Sequence, residues 1–149
     1  MNKDLELELN TQGFELSSTN KRALAYLIDD VLISILVLAI FWEYIQDVSD
    51  FEQIILTINR VFFEIVTIKI LYHTFFIWKY GATLGKMFAK IKVIQVSDFN
   101  SPSFGIAFNR AIFRVISEML FYIGFFIAFF DKFRQSLHDK SAKTLVVNA

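Results

Sequence analysis

Two adjacent carboxylates, Asp29 and Asp30, stand inside a stretch of sequence that is otherwise apolar. Between Arg22 and Trp42 they are the only charged residues, and about 20 apolar residues are enough for a helix to cross the hydrocarbon core of a bilayer. A carboxylate in hydrocarbon costs about 2.5–3.5 kcal/mol on insertion scales, so each group needs a partner or a polar cavity. Intramembrane carboxylates often serve as proton or monovalent-cation sites, which makes this pair the first candidate for chemistry.

A second apolar stretch, residues 54–78, contains cationic groups that could be those partners. If the two stretches are antiparallel helices, a rise of ~1.5 Å per residue puts Asp29 and Lys69 roughly 10 and 13 Å from the same membrane surface. His73 lies roughly 8 Å from it. We therefore predict one buried polar cluster in which Asp29 or Asp30 faces Lys69, with His73 beside them.

Composition favours a small integral membrane protein. The 149 residues are 55% hydrophobic and 17% aromatic, with a mean hydropathy of +0.48, which is too apolar for an ordinary soluble domain. Fifteen basic and 15 acidic residues give no net charge and no long basic run, which argues against nucleic-acid binding. With no cysteine and two histidines, the chain gives no sequence signal for a metal site or a cofactor.

The distribution of charge predicts the orientation in the membrane. Lys21 and Arg22 precede the first apolar stretch, and residues 79–102 and 132–149 are rich in lysine or arginine, as cytoplasmic segments are. Residues 43–53 contain no lysine or arginine and suit the opposite side; their acidic residues are Glu43, Asp47, Asp50 and Glu52. Both termini are therefore predicted to be cytoplasmic.

The region from 103 to 131 is predicted to be helical and membrane-associated. Arg110 and Arg114 lie one turn apart on the polar face of an amphipathic segment, and the apolar run after it, about a dozen residues, is too short to span alone. Because the basic tail belongs inside, we expect a helical hairpin, or an interfacial helix followed by a partly embedded one, broken between Ser117 and Gly124. A single tilted third span with the tail outside is the alternative.

Short strand-like segments predict a small cytoplasmic β element. Residues 91–96 are rich in β-branched side chains, and residues 144–147 have strand composition, so the two segments are expected to pair. Leu5, Leu7 and Leu9 alternate with glutamates as in a half-buried strand and could add a third strand, although a mobile tail is the other interpretation.

These observations predict a single all-α integral membrane domain over residues 1–149, with two transmembrane helices and a carboxyl-terminal hairpin or third span. Its parts are a cytoplasmic tail (1–20), transmembrane helices (22–42 and 54–78), a cytoplasmic loop (79–102), membrane-associated helices (103–131) and a cytoplasmic tail (132–149).

Three segments, FELSSTNKRALAYLID, GATLGKMFAKIKVI and FYIGFFIAFFDKFRQSLHDKSAKTLVV, occur in an order that resembles RDD family membrane proteins, named for an arginine and two aspartates. The resemblance places the family arginine on Arg22, the first aspartate on Asp29 and the second on Asp139. It places a GxTxGK-like element on Gly81, Thr83, Gly85 and Lys86, and the carboxyl-terminal element on Gly124, Gln135 and Thr144. Lys143 stands where that pattern has a glycine.

The resemblance implies a bacterial inner-membrane protein that transports ligands or exchanges ions for protons. One hypothesis is a transporter or ion exchanger that uses Asp29 or Asp30 and is a homo-oligomer, because three or four short helices enclose little volume. The other is a non-transporting module that anchors or assembles partner membrane proteins. An enzyme is not expected, because His138 and Asp139 are neighbours without a nucleophile in a recognisable motif.

Overall fold

A computed structural model describes residues 2–46 and 48–149, and helices make up most of it. Asp47, one of the acidic residues of the predicted outer loop, lies outside the described residues. The helices are α1 (Asn2–Thr11), α2 (Thr19–Ile40), α3 (Trp42–Ile45), α4 (Phe51–Arg60), α5 (Phe62–Tyr80), α6 (Leu84–Phe88), α7 (Phe104–Met119), α8 (Ile123–Phe130) and α9 (Leu137–Ser141). The strands are β1 (Ile91–Gln95) and β2 (Thr144–Asn148).

Helix α2 is long and apolar enough to cross a membrane. The side chain of Ser18 caps its first turn by accepting a hydrogen bond from the Lys21 amide at 3.3 Å. Only 17% of its most apolar 18-residue stretch is buried inside the protein, whereas the core helix of a soluble protein would be mostly buried. Its exposed side chains include Leu27, Val31, Ile35 and Leu38. This helix coincides with the first predicted span.

The second predicted span, residues 54–78, is not one continuous helix. The chain leaves helical geometry at Val61 (φ −99°, ψ 10°), which separates α4 from α5. Four of the five apolar residues of α4 lie on one face, at positions 51, 54, 55 and 58, and only Leu56 lies among the polar residues opposite, a pattern typical of a helix at a membrane interface. Arg60, at its end, stacks 4.9 Å from the ring centre of Tyr44 on α3. This amphipathic pattern accounts for the difference from the predicted span.

Helices α7 and α8 form a sharply bent pair with an angle of 105° between them. The break lies at Leu120 to Tyr122, where Phe121 and Tyr122 take positive φ values of 51° and 63°, and it falls within the predicted interval. By length and composition, the described residues contain one helix able to cross a membrane, or two crossings if the bent pair counts as one. The number of crossings stays a prediction.

The predicted pairing of the two strand-like segments is confirmed. Strands β1 and β2 are antiparallel, with Val93 opposite Val146. One face of this sheet packs Ile91, Val93 and Val146 against apolar side chains of α2, α5 and α7. The other face buries Ile94, Leu145 and Val147 beside α1. The sheet therefore joins the amino-terminal segment to the helical body.

The amino-terminal leucines do not form the third strand, because residues 2–11 are helical. Leu5 and Leu9 are four residues apart and pack on the sheet from one face of α1, while Leu7 points away and is 66% exposed. The place next to β2 is taken instead by residues 15–17, with a single bridge between Leu16 and Val147. Ser17 N donates to Val146 O at 3.0 Å and Asn148 N donates to Glu15 O at 2.8 Å.

The predicted membrane topology can be tested by cysteine labelling, because the chain has no cysteine of its own. Single cysteines at Asn2, Ser49, Ser97 and Asn148 are expected to react with a membrane-impermeant maleimide in intact cells only at position 49. The reason is that the basic segments mark the cytoplasmic side. External labelling at 148 would show that the tail lies outside and would exclude the hairpin arrangement.

Candidate functional site

The carboxylate of Asp29 fastens α2 to the segment between α5 and β1. Its side chain is fully buried, and it accepts hydrogen bonds from the Thr83 hydroxyl at 2.6 Å and from the Gly85 amide at 2.8 Å. The Tyr72 hydroxyl on α5 donates a third bond at 2.8 Å. Charge-assisted bonds of this kind are strong, so Asp29 holds three separate segments together.

The GxTxGK-like element has the local geometry that this docking requires. Gly81 ends α5 with φ at +68°, a left-handed conformation that glycine adopts without steric cost. Thr83 is the N-cap of α6. At Gly85 a Cβ atom would lie 2.1 Å from the carbonyl oxygen of Ala25, so only glycine allows α6 to approach α2 this closely. The element therefore serves helix packing here.

A second buried carboxylate, Asp139 on α9, forms ion pairs with Arg22 of α2 and Arg110 of α7. It also accepts hydrogen bonds from the amide of Ser136 at 3.0 Å and from its hydroxyl at 2.6 Å, which caps the start of α9. Burial alone would raise the pKa of Asp139, but the charges of Arg22 and Arg110 hold that pKa well below its usual range.

The structure thus brings together two residues that the resemblance assigned to the family motif, Arg22 and Asp139. Asp29 lies in a separate network and pairs with the GxTxGK-like element. Arg110 was noted in the sequence only as part of a polar helix face, yet it is 4% exposed. Its i,i+4 spacing from Arg114 was the available signal, but spacing alone does not show whether a polar face meets solvent or a buried acid.

The carboxyl-terminal motif residues occupy structural positions. Gly124 lies in α8 against Ser117. Gln135 Nε2 donates to the Thr144 carbonyl at 2.8 Å and thereby connects the α8–α9 segment to β2. Lys143, where the family pattern has glycine, has φ at +50°, the left-handed conformation that glycine favours.

The predicted cluster around Lys69 is only partly correct. Lys69 Nζ lies 3.6 Å from a carboxylate oxygen of Asp30 and 2.6 Å from one of Glu118 on α7. Asp29 is not part of it, because consecutive helical residues point about 100° apart and only Asp30 faces Lys69. Glu118 was missed; it lies four residues after Arg114, whose Nε is 3.5 Å from it.

His73 was predicted to lie beside these carboxylates, and it does not. Its side chain is buried, with its ring centre 5.1 Å from that of Tyr72. It borders a small internal gap together with Lys86, Arg110, Arg114 and His138. His73 lies on the side of α5 that packs on α7, next to Arg110 and Arg114, and the depth estimate from the sequence did not include this packing.

Two double-mutant cycles should show whether Lys69 is coupled to Glu118 or, as the sequence allowed, to Asp29. We expect Lys69→Ala and Glu118→Ala to be coupled by about 0.5–3 kcal/mol in unfolding free energy, because the two groups are in direct contact. The Lys69→Ala and Asp29→Ala pair should show a smaller coupling. Unfolding in neutral detergent, followed by circular dichroism, measures both cycles; a larger coupling to Asp29 would contradict this arrangement.

A cavity of about 330 Å³ lies between α2, α8 and α9. Three cationic side chains border it, namely Arg22, Lys86 and Arg114. Its other walls are mainly apolar or aromatic, with Ala23, Tyr26, Leu27, Phe125, Phe126 and Phe129, and the polar side chains of Thr19, Ser136 and His138 also border it. The Arg114 guanidinium stacks 4.7 Å from the ring centre of Tyr26 and 5.5 Å from that of Phe125, so the cationic and aromatic parts of the wall are in contact.

Lys86 is the most unusual group in this wall. It is 7% exposed, and among the described residues no carboxylate lies within the 4.0 Å of an ion pair with its ammonium group. Burial, reinforced by the charge of Arg114, lowers the pKa of Lys86 to about 7. Lys86 was expected only as a family-motif residue, and no pattern in the sequence indicated that it borders a cavity.

The described part of the chain shows no metal-binding arrangement: no group of three or more His, Cys, Asp or Glu residues there could hold an ion. Buried arginine and lysine side chains give the site much of its charge and can donate hydrogen bonds.

Comparison with known proteins identifies the family of the chain. The chain is similar to an uncharacterised protein of Rickettsia prowazekii (strain Madrid E), with 29% identity over 109 residues. That similarity covers 73% of this chain and 60% of the relative, so the chain spans less than two thirds of the relative's length. No solved structure matches the chain. The model of the RDD family matches residues 16–143, which include Arg22, Asp29 and Asp139; the chain therefore belongs to the RDD family, a family of membrane proteins.

Proposed function

We propose that the chain is a small multi-pass transport protein that binds an anionic ligand in the cavity bordered by Arg22, Lys86 and Arg114. The observation that carries this proposal is the convergence of three cationic side chains on one cavity beside the apolar helix α2. Buried cationic groups are costly in an apolar setting, and an anionic ligand would offset part of that cost. The proposal involves no catalytic step and no cofactor.

The geometry gives less support to a cation or proton site at Asp29. Both of its oxygens already accept hydrogen bonds, from Thr83, Gly85 and Tyr72. A bound cation would have to replace at least one of these donors and loosen the contact between α2 and α6. Asp30 is more accessible, but it faces Lys69, which opposes a second cation.

Uptake into proteoliposomes tests this proposal. Purified protein is reconstituted in phosphatidylcholine, and uptake of radiolabelled sodium, potassium and a series of carboxylates from acetate to palmitate is compared with that in empty liposomes. We expect protein-dependent uptake of at least one carboxylate, reduced by Lys86→Gln and unchanged by Lys79→Gln, an exposed lysine outside the cavity. Uptake of sodium or potassium without any carboxylate would contradict an anion site.

The alternative function is a module that anchors or assembles partner proteins, and the same purified and reconstituted protein can test it. Exposed apolar residues along α2 would suit lipid or a neighbouring helix equally well. Carboxylate binding without uptake would favour such a module over a transporter, because the site would then be occupied without turnover. Native mass spectrometry of the detergent-solubilised protein would show whether it is the expected homo-oligomer.

A further inference from the structure

The cavity wall has two chemically different parts. Lys86 and Arg114 in it are buried cations, whereas Phe126 and Phe129 of α8 are mostly exposed aromatic side chains. We infer that its ligand is a single-chain amphiphilic anion, a long-chain carboxylate, with the carboxylate at the cationic end and the alkyl chain along α8. This inference rests on the proposed anion site and names its ligand class.

At the cationic end, the charges around the cavity do not balance when Lys86 is protonated. The cations are then Arg22, Lys69, Lys86, Arg110 and Arg114, and the carboxylates around them are Asp29, Asp30, Glu118 and Asp139, which leaves one positive charge over among the described residues. Asp139 is already shared by two arginines, and Glu118 is shared by Arg114 and Lys69. One monovalent anion beside Lys86 would complete this network.

At the other end, the wall suits an alkyl chain. Phe126 and Phe129 on α8 are 59% and 63% exposed and border the cavity together with Leu27 of α2. The cationic groups alone would bind any small anion, but such an anion would leave these rings uncovered. An alkyl chain would gain van der Waals contacts with these rings that a small anion cannot make.

The position and size of the cavity favour a ligand with one acyl chain over a ligand with two. Its α2 wall runs from Thr19 to Leu27, roughly 12 Å at ~1.5 Å per residue, so it begins at the polar end of the apolar helix and continues into the apolar part. Its volume of about 330 Å³ is near the lower end of the range for small-molecule sites, about 300–1,000 Å³. That volume suits a single acyl chain better than a two-chain phospholipid.

Photo-crosslinking can test the ligand class directly. The protein is reconstituted in phosphatidylcholine vesicles that contain palmitate with a photoreactive diazirine in its chain, and adducts are mapped by mass spectrometry. We expect adducts on α8 and on the first turns of α2. Excess palmitate should remove them, whereas methyl palmitate, which has the chain without the charge, should not.

Two pairs of variants test the contributions of the cationic and the aromatic side chains separately. Lys86→Gln should lower the adduct yield about tenfold or more, since it removes a charged hydrogen-bond donor, while Lys79→Gln should leave it unchanged. Phe126→Ala should lower the yield severalfold, whereas Phe130→Ala, which replaces a 92% exposed ring outside the cavity, should not. Phe126 is mostly exposed, so its variant keeps the test valid even if Lys86→Gln fails to fold.

The outcomes separate this inference from the proposed function. If excess methyl palmitate removes the adducts as well as excess palmitate does, the negative charge of the ligand plays no part, which would contradict the inference. If phosphatidylglycerol at equal concentration removes them, the site accepts a two-chain lipid, which would contradict a single-chain ligand. Uptake of acetate without palmitate adducts would overturn the inference and leave the anion transporter standing. Palmitate adducts without uptake of any carboxylate would support the inference and contradict transport.

Discussion

Replacement of Asp139 by asparagine is expected to lower the unfolding free energy by about 3–5 kcal/mol, because it leaves the buried charges of Arg22 and Arg110 without their shared carboxylate. Asp139 is fully buried and joins α2, α7 and α9, so its neighbours cannot turn to water. Thermal and chemical unfolding in neutral detergent measures the loss.

Asp30→Asn is the matched control, since it makes the same chemical change at a side chain that is 42% exposed. Its partner Lys69 keeps Glu118 at 2.6 Å, so a loss below about 1 kcal/mol is expected. A second change, Arg110→Gln in the Asp139→Asn background, should recover part of the stability. Equal losses for the two single aspartate variants would contradict the shared-carboxylate arrangement.

The sign of the pH dependence follows from the lowered pKa of Asp139. A carboxyl whose pKa is lower in the folded state stabilises the fold above its unfolded pKa of about 3.9, and this stabilisation is lost as the pH falls through the lower folded value. The difference between wild type and Asp139→Asn should therefore be constant at neutral and alkaline pH and should shrink only in acid.

We expect Gly85→Ala to be the second strongly destabilising substitution. The added Cβ would lie 2.1 Å from the Ala25 carbonyl and 2.9 Å from the Asp29 carboxylate, so α6 would have to move away from α2. That movement would break the hydrogen bond from the Gly85 amide to Asp29 and expose buried surface. We expect a loss of about 3 kcal/mol or more, or failure to accumulate in the membrane.

Gly105→Ala provides the control for this change. Gly105 lies in the first turn of α7, and nothing lies within 4 Å of where its Cβ would be. Alanine there should be neutral or stabilise by up to about 1 kcal/mol, because glycine is a poor helix former. Equal expression and melting temperature for Gly85→Ala and Gly105→Ala would show that α6 does not depend on the close approach to α2.

Local patterns in the sequence predicted those parts of the fold that depend on neighbouring residues. The β-branched run at 91–96 and the TLVV segment at 144–147 indicated strands, and the basic residues around both placed them on the same side of the membrane, where they could pair. The apolar length of α2 was equally direct evidence. The break between α7 and α8 followed from the length of the last apolar run, which is too short to cross a bilayer.

Other features depend on contacts between distant parts of the chain, which spacing does not encode. Arg22 meets Asp139 across 117 residues, and only the family resemblance suggested that both matter. The choice between Asp29 and Asp30 as the partner of Lys69 depends on the rotation of α2, and an error of one residue changes the direction by about 100°. The alternation of leucines near the amino terminus fitted a strand, but the packing of Leu5 and Leu9 made the segment helical.

The most direct test of an anion site at Lys86 is an experimental structure of the protein in lipid with palmitate present. We predict that the palmitate carboxylate lies about 2.7–3.2 Å from Lys86 Nζ, with its chain along Phe126, and that Asp29 keeps its bonds to Thr83 and Gly85. Palmitate bound elsewhere with the cavity free of any anion, or a cation coordinated by Asp29 in place of Thr83, would contradict this account.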